Sequence, residues 1–200
     1  MRLLILASST RGGAAVDLAS GALVRTHWTA PLAEPFEPYQ VVQARRVVDE
    51  ELAFAADSVV ADRPEVIGEL RGRKAERLIK PLVHPPTQPL LGAAGPSVTY
   101  WTLRPDQPSI AIVRPAAGPV VERDRSLRLR CRFRWRRLDH DLPLDDPRLE
   151  EQLSHPTAVQ LTGGTLSRAL GWKPERLLVV LTPPRRGLCH KVVAGMLPRA

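Results

Sequence analysis

The sequence predicts an α+β protein in which strands dominate, with antiparallel sheets and a few short helices. Residues 127–135 give the first reason, because apolar side chains alternate there with arginines, and a period of two is typical of a strand with one buried face. Short β-branched segments separated by glycine- or proline-containing turns are the second reason. The third is that only a few short segments carry a helical period. The apolar positions of the alternating segment are Leu127, Leu129, Cys131, Phe133 and Trp135.

The residues after Trp135 predict a long arginine-rich hairpin. If Trp135 faces Leu138, apolar residues oppose one another on one side of the two strands and arginines oppose aspartates on the other. A slip of one residue would place aspartates in the core, so the pattern selects this register. The expected apolar pairs are Phe133–His140, Cys131–Leu142 and Leu129–Leu144, and the expected charged pairs are Arg134–Asp139, Arg132–Asp141 and Arg128–Asp145, with Arg130 facing Pro143.

Arg136 and Arg137 are poor residues for a two-residue hairpin turn, because neither adopts a positive φ as readily as Asn or Gly does. A four-residue loop that closes on Arg134 and Asp139 keeps the same register and is the alternative that these residues favour.

The N-terminal half predicts a β-meander followed by one helix. Turns that contain glycine separate the first three strands. A proline-rich connector at residues 31–38 follows them, and the stretch at residues 39–56 fits a strand and a helix alike. Expected strands occupy residues 2–8, 14–18, 22–28 and 65–70.

The clearest helical pattern lies at residues 71–83, where apolar residues recur at helical spacing and basic residues lie away from that stripe. Pro81 lacks a backbone donor, so the helix should end or kink near Lys80. The apolar stripe consists of Ala75, Leu78, Ile79 and Leu82, and the basic residues are Arg73, Lys74, Arg77 and Lys80.

The C-terminal half predicts an antiparallel sheet that carries two short helices. Asp146 before Pro147 is typical of a helix start, and His155–Pro156 should end that helix. Gly171 is suited to terminate the second helix. Expected strands occupy residues 97–103, 109–113, 119–123, 127–135, 138–144, 177–181 and 188–197, and the expected helices lie at residues 146–154 and 166–170.

Residues 84–96 contain four prolines and are the predicted connector between two halves. The prediction is therefore an N-terminal domain at residues 1–95, formed by the meander and the basic helix, and a C-terminal domain at residues 96–200, formed by the sheet with two short helices. The same pattern is also compatible with one continuous domain.

The chain of 200 residues has a net charge of +8 and a sequence pI of about 10.4, which predicts attraction to polyanions. Only four of its basic residues are lysines, and so strong an arginine bias also fits a GC-rich coding sequence. Cys131 and Cys189 lie in apolar strand patterns and are expected to be buried thiols. No apolar run approaches the roughly 20 residues of a membrane span, so we expect a cytoplasmic protein without a membrane contact.

These observations make a non-catalytic, nucleic-acid-binding or nucleoprotein-associated protein the leading functional prediction, with DNA or RNA as the partner. Protruding basic side chains on a sheet can neutralise the phosphates of a nucleic acid. The arginines without an opposing aspartate, the basic helix and the Arg185–Arg186 turn supply the candidates. The predicted binding residues are Arg130, Arg136, Arg137, Arg73, Lys74, Arg77, Arg185 and Arg186.

Two other functions remain open. The arginines could be chiefly structural in an adaptor that binds an acidic protein partner, or the turn from Ser8 to Gly13 could hold a phosphate in a nucleotide-handling enzyme. No catalytic residues, metal ligands or cofactor are predicted. In Asp139-His140-Asp141 the histidine points away from both carboxylates in a strand, so we expect His140 to be neutral at the edge of the apolar face.

Tyr100 and Trp101 could stack on bases, but of two adjacent strand residues one must point inward. We expect Trp101 to be that core residue.

Overall fold

The structure is a computed structural model that describes residues 1–48, 55–104, 106–154 and 160–200. Strands dominate it, its sheets are largely antiparallel and its helices are short, which confirms the predicted α+β class. The chain forms two compact units: unit 1 contains residues 1–83, 103–111 and 200, and unit 2 contains residues 84–102 and 112–199. The predicted division at residue 95 stays a prediction.

Unit 1 contains a closed five-stranded barrel in the order β1-β2-β3-β5-β4. Its first three strands form the predicted antiparallel meander, and the stretch at residues 39–48, which the sequence left open, contains a fourth strand. One pair departs from the antiparallel prediction, because β3 and β5 are parallel. The strands are β1 (Arg2–Ser9), β2 (Gly12–Asp17), β3 (Leu23–Trp28), β4 (Gln40–Val47) and β5 (Ser58–Glu69).

Small and aliphatic side chains fill the barrel, as a sequence with few aromatic residues requires. The side chains of Leu3, Ile5 and Val42 are inaccessible to solvent, and Trp28 closes the cluster with Phe36 packed edge-on against its indole at a centroid distance of 5.7 Å. The barrel closes through the parallel β3–β5 pair and the antiparallel β1–β4 pair. In this chain a proline-rich connector, at residues 29–39, links β3 to β4.

Two glycines at the start of β2 allow neighbouring strands to approach closely. A Cβ atom on Gly13 would lie 2.1 Å from the carbonyl oxygen of Ala7, and one on Gly12 would lie 2.2 Å from that of Thr26. Both distances are far below van der Waals contact, so these positions exclude any side chain.

A short basic helix, α1 (Gly72–Ile79), follows the barrel. A 3-10 turn, Lys80–Leu82, continues it with Pro81 in the turn, so the predicted end near Lys80 is confirmed. Ala75 and Ile79 are buried, as the helical stripe predicts.

Two four-stranded sheets, in the orders β10-β9-β8-β11 and β6-β13-β12-β7, consist of strands of unit 2, except that the first two residues of β7 are grouped with unit 1. The pairs for which a register is known are antiparallel, and every residue of β12 is buried, as its all-apolar sequence predicts. The strands are β6 (Ser97–Thr99), β7 (Ile110–Val113), β8 (Val120–Arg123), β9 (Leu129–Trp135), β10 (Leu138–Pro143), β11 (Gln160–Thr162), β12 (Arg176–Leu181) and β13 (Leu188–Leu197).

Both predicted helices of this unit are confirmed. The first, α2 (Pro147–Gln152), begins at Asp146, whose carboxylate accepts hydrogen bonds from the backbone N–H groups of Arg148 and Leu149. The second, α3 (Gly163–Leu170), ends at Gly171 in the left-handed region. The predicted stop at His155–Pro156 lies outside the described residues.

Three predicted strand limits are wrong. The strand expected at residues 65–70 begins at Ser58. The strand expected at residues 97–103 ends at Thr99, because a 3-10 turn, Tyr100–Thr102, follows it. Leu127, expected to be inward, lies in a turn before β9 with a positive φ and is exposed.

Among the described residues, no helix combines the length and the apolar character that spanning a membrane requires.

The close strand approach at Gly13 predicts a large loss of stability for Gly13→Ala. The added methyl group would meet the Ala7 carbonyl, and overpacking of this kind costs about 1–3 kcal/mol of unfolding free energy or more. Gly68→Ala in β5 is the matched control, because nothing lies within 4 Å of its Cβ position. Urea unfolding monitored by circular dichroism compares the two variants, and equal stabilities would contradict the packing argument.

Candidate nucleic-acid interface

The β9–β10 hairpin has the register that the sequence predicts. Trp135 pairs with Leu138, Phe133 with His140 and Cys131 with Leu142, and from Leu129 onward the odd-numbered side chains of β9 are buried. The apolar pairs are therefore on the inner face, and the arginines of β9 lie on the outer face. Both cysteines are buried free thiols, as expected, and burial raises the pKa of Cys131 far above its usual range.

The outer face of this hairpin is neutralised by ion pairs, and two of the partners differ from those expected. Nε of Arg130 lies 2.8 Å from Oδ1 of Asp141, Nη2 of Arg132 lies 2.9 Å from Oε2 of Glu122, and Nε of Arg134 lies 3.1 Å from Oδ1 of Asp139. Arg130 was expected to be among the least neutralised arginines, and this expectation is wrong because Arg130 reaches diagonally to Asp141. Arg128 makes no ion pair with any described residue, Asp145 included.

The turn of this hairpin has two residues, Arg136 and Arg137, where the sequence favoured a four-residue loop. Arg136 has a φ of 60°, a conformation in which a non-glycine residue is strained. A positive φ at the first central residue alone is the pattern of a type II′ turn, whose first position favours glycine. Pairing of Trp135 with Leu138 imposes this turn on the two arginines, and both side chains are exposed.

A second arginine-bearing turn joins β12 to β13. Arg185 and Leu188 close it through two backbone hydrogen bonds of 2.9 and 3.1 Å. The two residues between them, Arg186 and Gly187, have φ values of 53° and 78°. Positive φ at both positions is the pattern of a type I′ turn, which favours Asn or Gly at the position that Arg186 occupies.

Both turns belong to unit 2, and they lie where two parallel strands begin. Leu144, directly after β10, pairs with Val193 of β13 in the parallel sense, and the N–H of Asp145 donates to the carbonyl of Val193 over 2.8 Å. Strands β10 and β13 therefore run in the same direction away from their turns. We call the exposed residues Arg136, Arg137, Arg185 and Arg186 the turn arginines; none of them makes an ion pair with a described residue.

Trp101 lies beside the second turn and is exposed, so the expectation of a core position is wrong. Trp101 lies in the 3-10 turn that follows β6, and 74% of the residue is accessible to solvent. A Cβ atom on Gly187 would lie 2.5 Å from Cζ3 of the indole, so the edge of the ring packs against this glycine. Tyr100 and Leu188 are exposed in the same region.

Beneath the hairpin, His140 is buried among aromatic rings. Its ring stacks on Phe133 at a centroid distance of 5.1 Å, and no described group lies in hydrogen-bonding reach of its Nε2 atom. Burial, and then the charge of Lys191, lower the pKa of His140, so the ring is neutral at physiological pH, as expected. His84 lies 5.4 Å from the Trp135 ring, and burial lowers its pKa as well.

Lys191 is the charged residue that the sequence did not single out. It lies on β13 and is only 1% exposed, and its Nζ donates to the carbonyl oxygens of Ala93 and Gly95 over 2.5 and 2.6 Å. No carboxylate pairs with it in the part of the chain that the structure describes. Burial therefore lowers its pKa to about 8.

The basic residues of α1 form a separate candidate in unit 1. Arg73, Lys74 and Arg77 are exposed on the outer side of the helix, opposite the buried Ala75 and Ile79. Their exposure agrees with the predicted helical stripe, and their part in binding stays a prediction.

The turn from Ser8 to Gly13, the candidate phosphate cradle, is a tight connection between β1 and β2. Its polar groups are used locally: the Ser9 hydroxyl donates to the Gly12 carbonyl over 3.1 Å, and the Arg11 N–H donates to Ser9 Oγ over 3.4 Å. Close packing of strands accounts for both glycines without a ligand.

The barrel topology does not by itself supply a binding surface. On β2 the outward-facing Gly12, Ala14 and Val16 are buried and do not form an exposed binding face. Among the described residues, no three His, Cys, Asp or Glu side chains are grouped in a way that could hold a metal ion.

No family model matches the chain, and neither a curated protein nor a solved structure is significantly similar to it. The structure groups the predicted Arg136, Arg137, Arg185 and Arg186 in one unit, ties Arg130 to a carboxylate, and adds Trp101. The Arg186–Gly187 pair between two apolar runs was the available signal for the second turn, whereas the exposure of Trp101 had no local signal.

The strained backbone of Arg136 predicts that Arg136→Gly stabilises the protein. Relief of the positive φ should outweigh the added freedom of the unfolded chain, for a net gain of about 0.5–1 kcal/mol in unfolding free energy. Arg137→Gly is the matched control, because Arg137 has no positive φ to relieve and only the entropic loss remains. Denaturant titrations of both variants give the sign of the change in unfolding free energy. A loss of stability in Arg136→Gly would show that the backbone of Arg136 is not strained.

The buried Lys191 predicts a distinct alkaline pH dependence of stability. Since its pKa falls from 10.5 to about 8 on folding, the unfolded chain binds more protons between these values, and stability should rise with pH across that window. The rise is on the order of 3 kcal/mol, and below pH 8 the full penalty is present. Urea unfolding of the wild type and Lys191→Met at pH 7.5 to 10.5 isolates the effect, because other groups cancel in the difference. If the unfolding free energies of the wild type and Lys191→Met changed in parallel with pH, the pKa of Lys191 would not be lowered by folding.

Proposed function

We propose that the protein binds nucleic acid through the turn arginines of unit 2, without catalysing a reaction on it. The observation that carries the proposal is the backbone of Arg136 and Arg186. Both occupy left-handed turn positions at which Gly or Asn is favoured. Strand packing imposes the backbone of these turns but not the residue type, so arginine in place of the favoured Gly or Asn points to a functional demand on the side chain.

The chemistry of these residues suits phosphate groups. Guanidinium groups donate paired hydrogen bonds to phosphate oxygens, and the turn arginines are exposed with no competing carboxylate among the described residues. The ion-paired arginines of the sheet face are less suited, because a phosphate would have to displace Asp141, Glu122 or Asp139. The net charge of +8 favours the same class of partner.

An adaptor that binds an acidic protein is the second candidate. It is favoured by the side chains around the second turn, since Trp, Tyr and Arg are the residue types that dominate binding energy at protein interfaces. The exposed set consists of Tyr100, Trp101, Arg185, Arg186 and Leu188. Salt-insensitive binding to a protein would support this candidate over nucleic acid.

Fluorescence anisotropy with labelled single- and double-stranded DNA and RNA at several salt concentrations tests the proposal. We expect affinity to fall steeply with salt, and the slope of log K against log salt to decrease by about 1.4 for single strands when Arg136 and Arg137 are both changed to Gln, at about 0.7 per phosphate contact. Changing Arg185 and Arg186 to Gln should reduce the salt slope by the same amount.

The control is Arg132→Gln combined with Arg134→Gln, which removes the same formal charge from the ion-paired sheet face. Its salt slope should stay close to that of the wild type. Equal losses in the turn and control variants would mean that net charge alone drives binding, and a wild type that binds no nucleic acid would overturn the proposal.

A further inference from the structure

The exposed indole of Trp101 lies beside two of the turn arginines, and the local structure fixes its position. The N–H of Tyr100 donates to the carbonyl of Gly187 over 2.9 Å, and the Thr102 hydroxyl donates to the carbonyl of Thr99 over 2.8 Å. Thr99 in turn pairs with Leu188, the first residue of β13. The 3-10 turn that carries Trp101 is thus bound to the turn that carries Arg185 and Arg186.

One edge of the indole is packed and most of the ring is open to solvent. Its six-membered ring packs on Gly187, where a side chain would collide with the ring, yet 74% of Trp101 is accessible. A tryptophan that served only to fill the core would bury most of its surface, as Trp28 and Trp135 do at 5% and 4% exposure. The indole is therefore held at one edge, and its exposed surface can receive a planar group.

We propose that Trp101 is a stacking platform for an unpaired base, and that the partner of this protein is consequently a single-stranded nucleic acid. This inference rests on the proposed function, because the turn arginines hold the phosphates of the same strand. A base inside a duplex has its faces covered by its neighbours, so only an unstacked base can lie on the indole. Stacking on an aromatic ring accepts any base, so the surface should show little sequence preference.

The test compares three labelled ligands built on one 12-mer, with the same number of phosphates per strand: the single-stranded oligonucleotide, the same strand with abasic sites throughout, and its duplex. The wild type should bind the normal single strand about tenfold more tightly than the abasic strand, which lacks bases but keeps the phosphates. Trp101→Ala should abolish that preference and Trp101→Phe should keep part of it. Melting temperatures should stay unchanged, because the side chain is exposed.

Tryptophan fluorescence gives an independent readout. Stacking should quench the emission of Trp101, and the quenching should disappear in Trp101→Phe although Trp28, Trp135 and Trp172 remain. Leu188→Ala is the matched control, because it removes an exposed apolar side chain next to the same turn without removing a π-face.

The outcomes separate the two proposals. If normal and abasic strands bind the wild type equally while the turn variants still weaken both, the stacking inference is overturned and phosphate binding stands. If duplex binds as tightly as the single strand, single-strand selection is overturned. If none of the three ligands binds and the fluorescence does not change, both proposals fall, which is the result expected if a protein occupies this surface.

Discussion

The apolar face of the β9–β10 hairpin is the constraint on which the candidate site depends. Phe133, Trp135 and Leu142 are buried there, and burial of each large apolar side chain contributes about 1.5–3 kcal/mol. The exposed ion pairs on the opposite face contribute at most about 1 kcal/mol each. Apolar burial therefore fixes the register, and the register leaves just Arg136 and Arg137 between Trp135 and Leu138. The strain at Arg136 is a consequence of that packing.

The same logic accounts for the second turn. The β12–β13 pair is buried along most of its length, so the length of the connection is set by the strands and not by the preferences of the turn residues. Arg186 is held at a positive φ. The next position requires glycine for two reasons, because its φ is also positive and because a side chain there would collide with Trp101. Both the turn geometry and the packing of the indole therefore depend on Gly187. Because this contact also supports the indole, the turn and the platform are positioned together.

Burial of the Lys191 ammonium group is a second destabilising feature of unit 2. An ammonium group in an apolar interior needs partners, and the carbonyl oxygens of Ala93 and Gly95 are the ones that the structure supplies. These carbonyls belong to the proline-rich connector, so the lysine ties that segment to β13. His84 and His140 are kept neutral by burial and by the lysine charge, which avoids the repulsion between buried cations.

The sequence by itself determined the strand-dominated class, the three helices and the hairpin register, because periodicity and helix-terminal residues such as Asp146 and Gly171 act over a few residues. It also identified the turn arginines, since the residues of a short turn between two apolar strands are exposed. Only the tertiary structure decided the closure of the barrel through the parallel β3–β5 pair, the diagonal reach of Arg130 to Asp141, and the exposure of Trp101 beside Gly187. Each of these joins residues at least eleven positions apart, and side-chain direction at such contacts depends on strand pairing that no local pattern encodes.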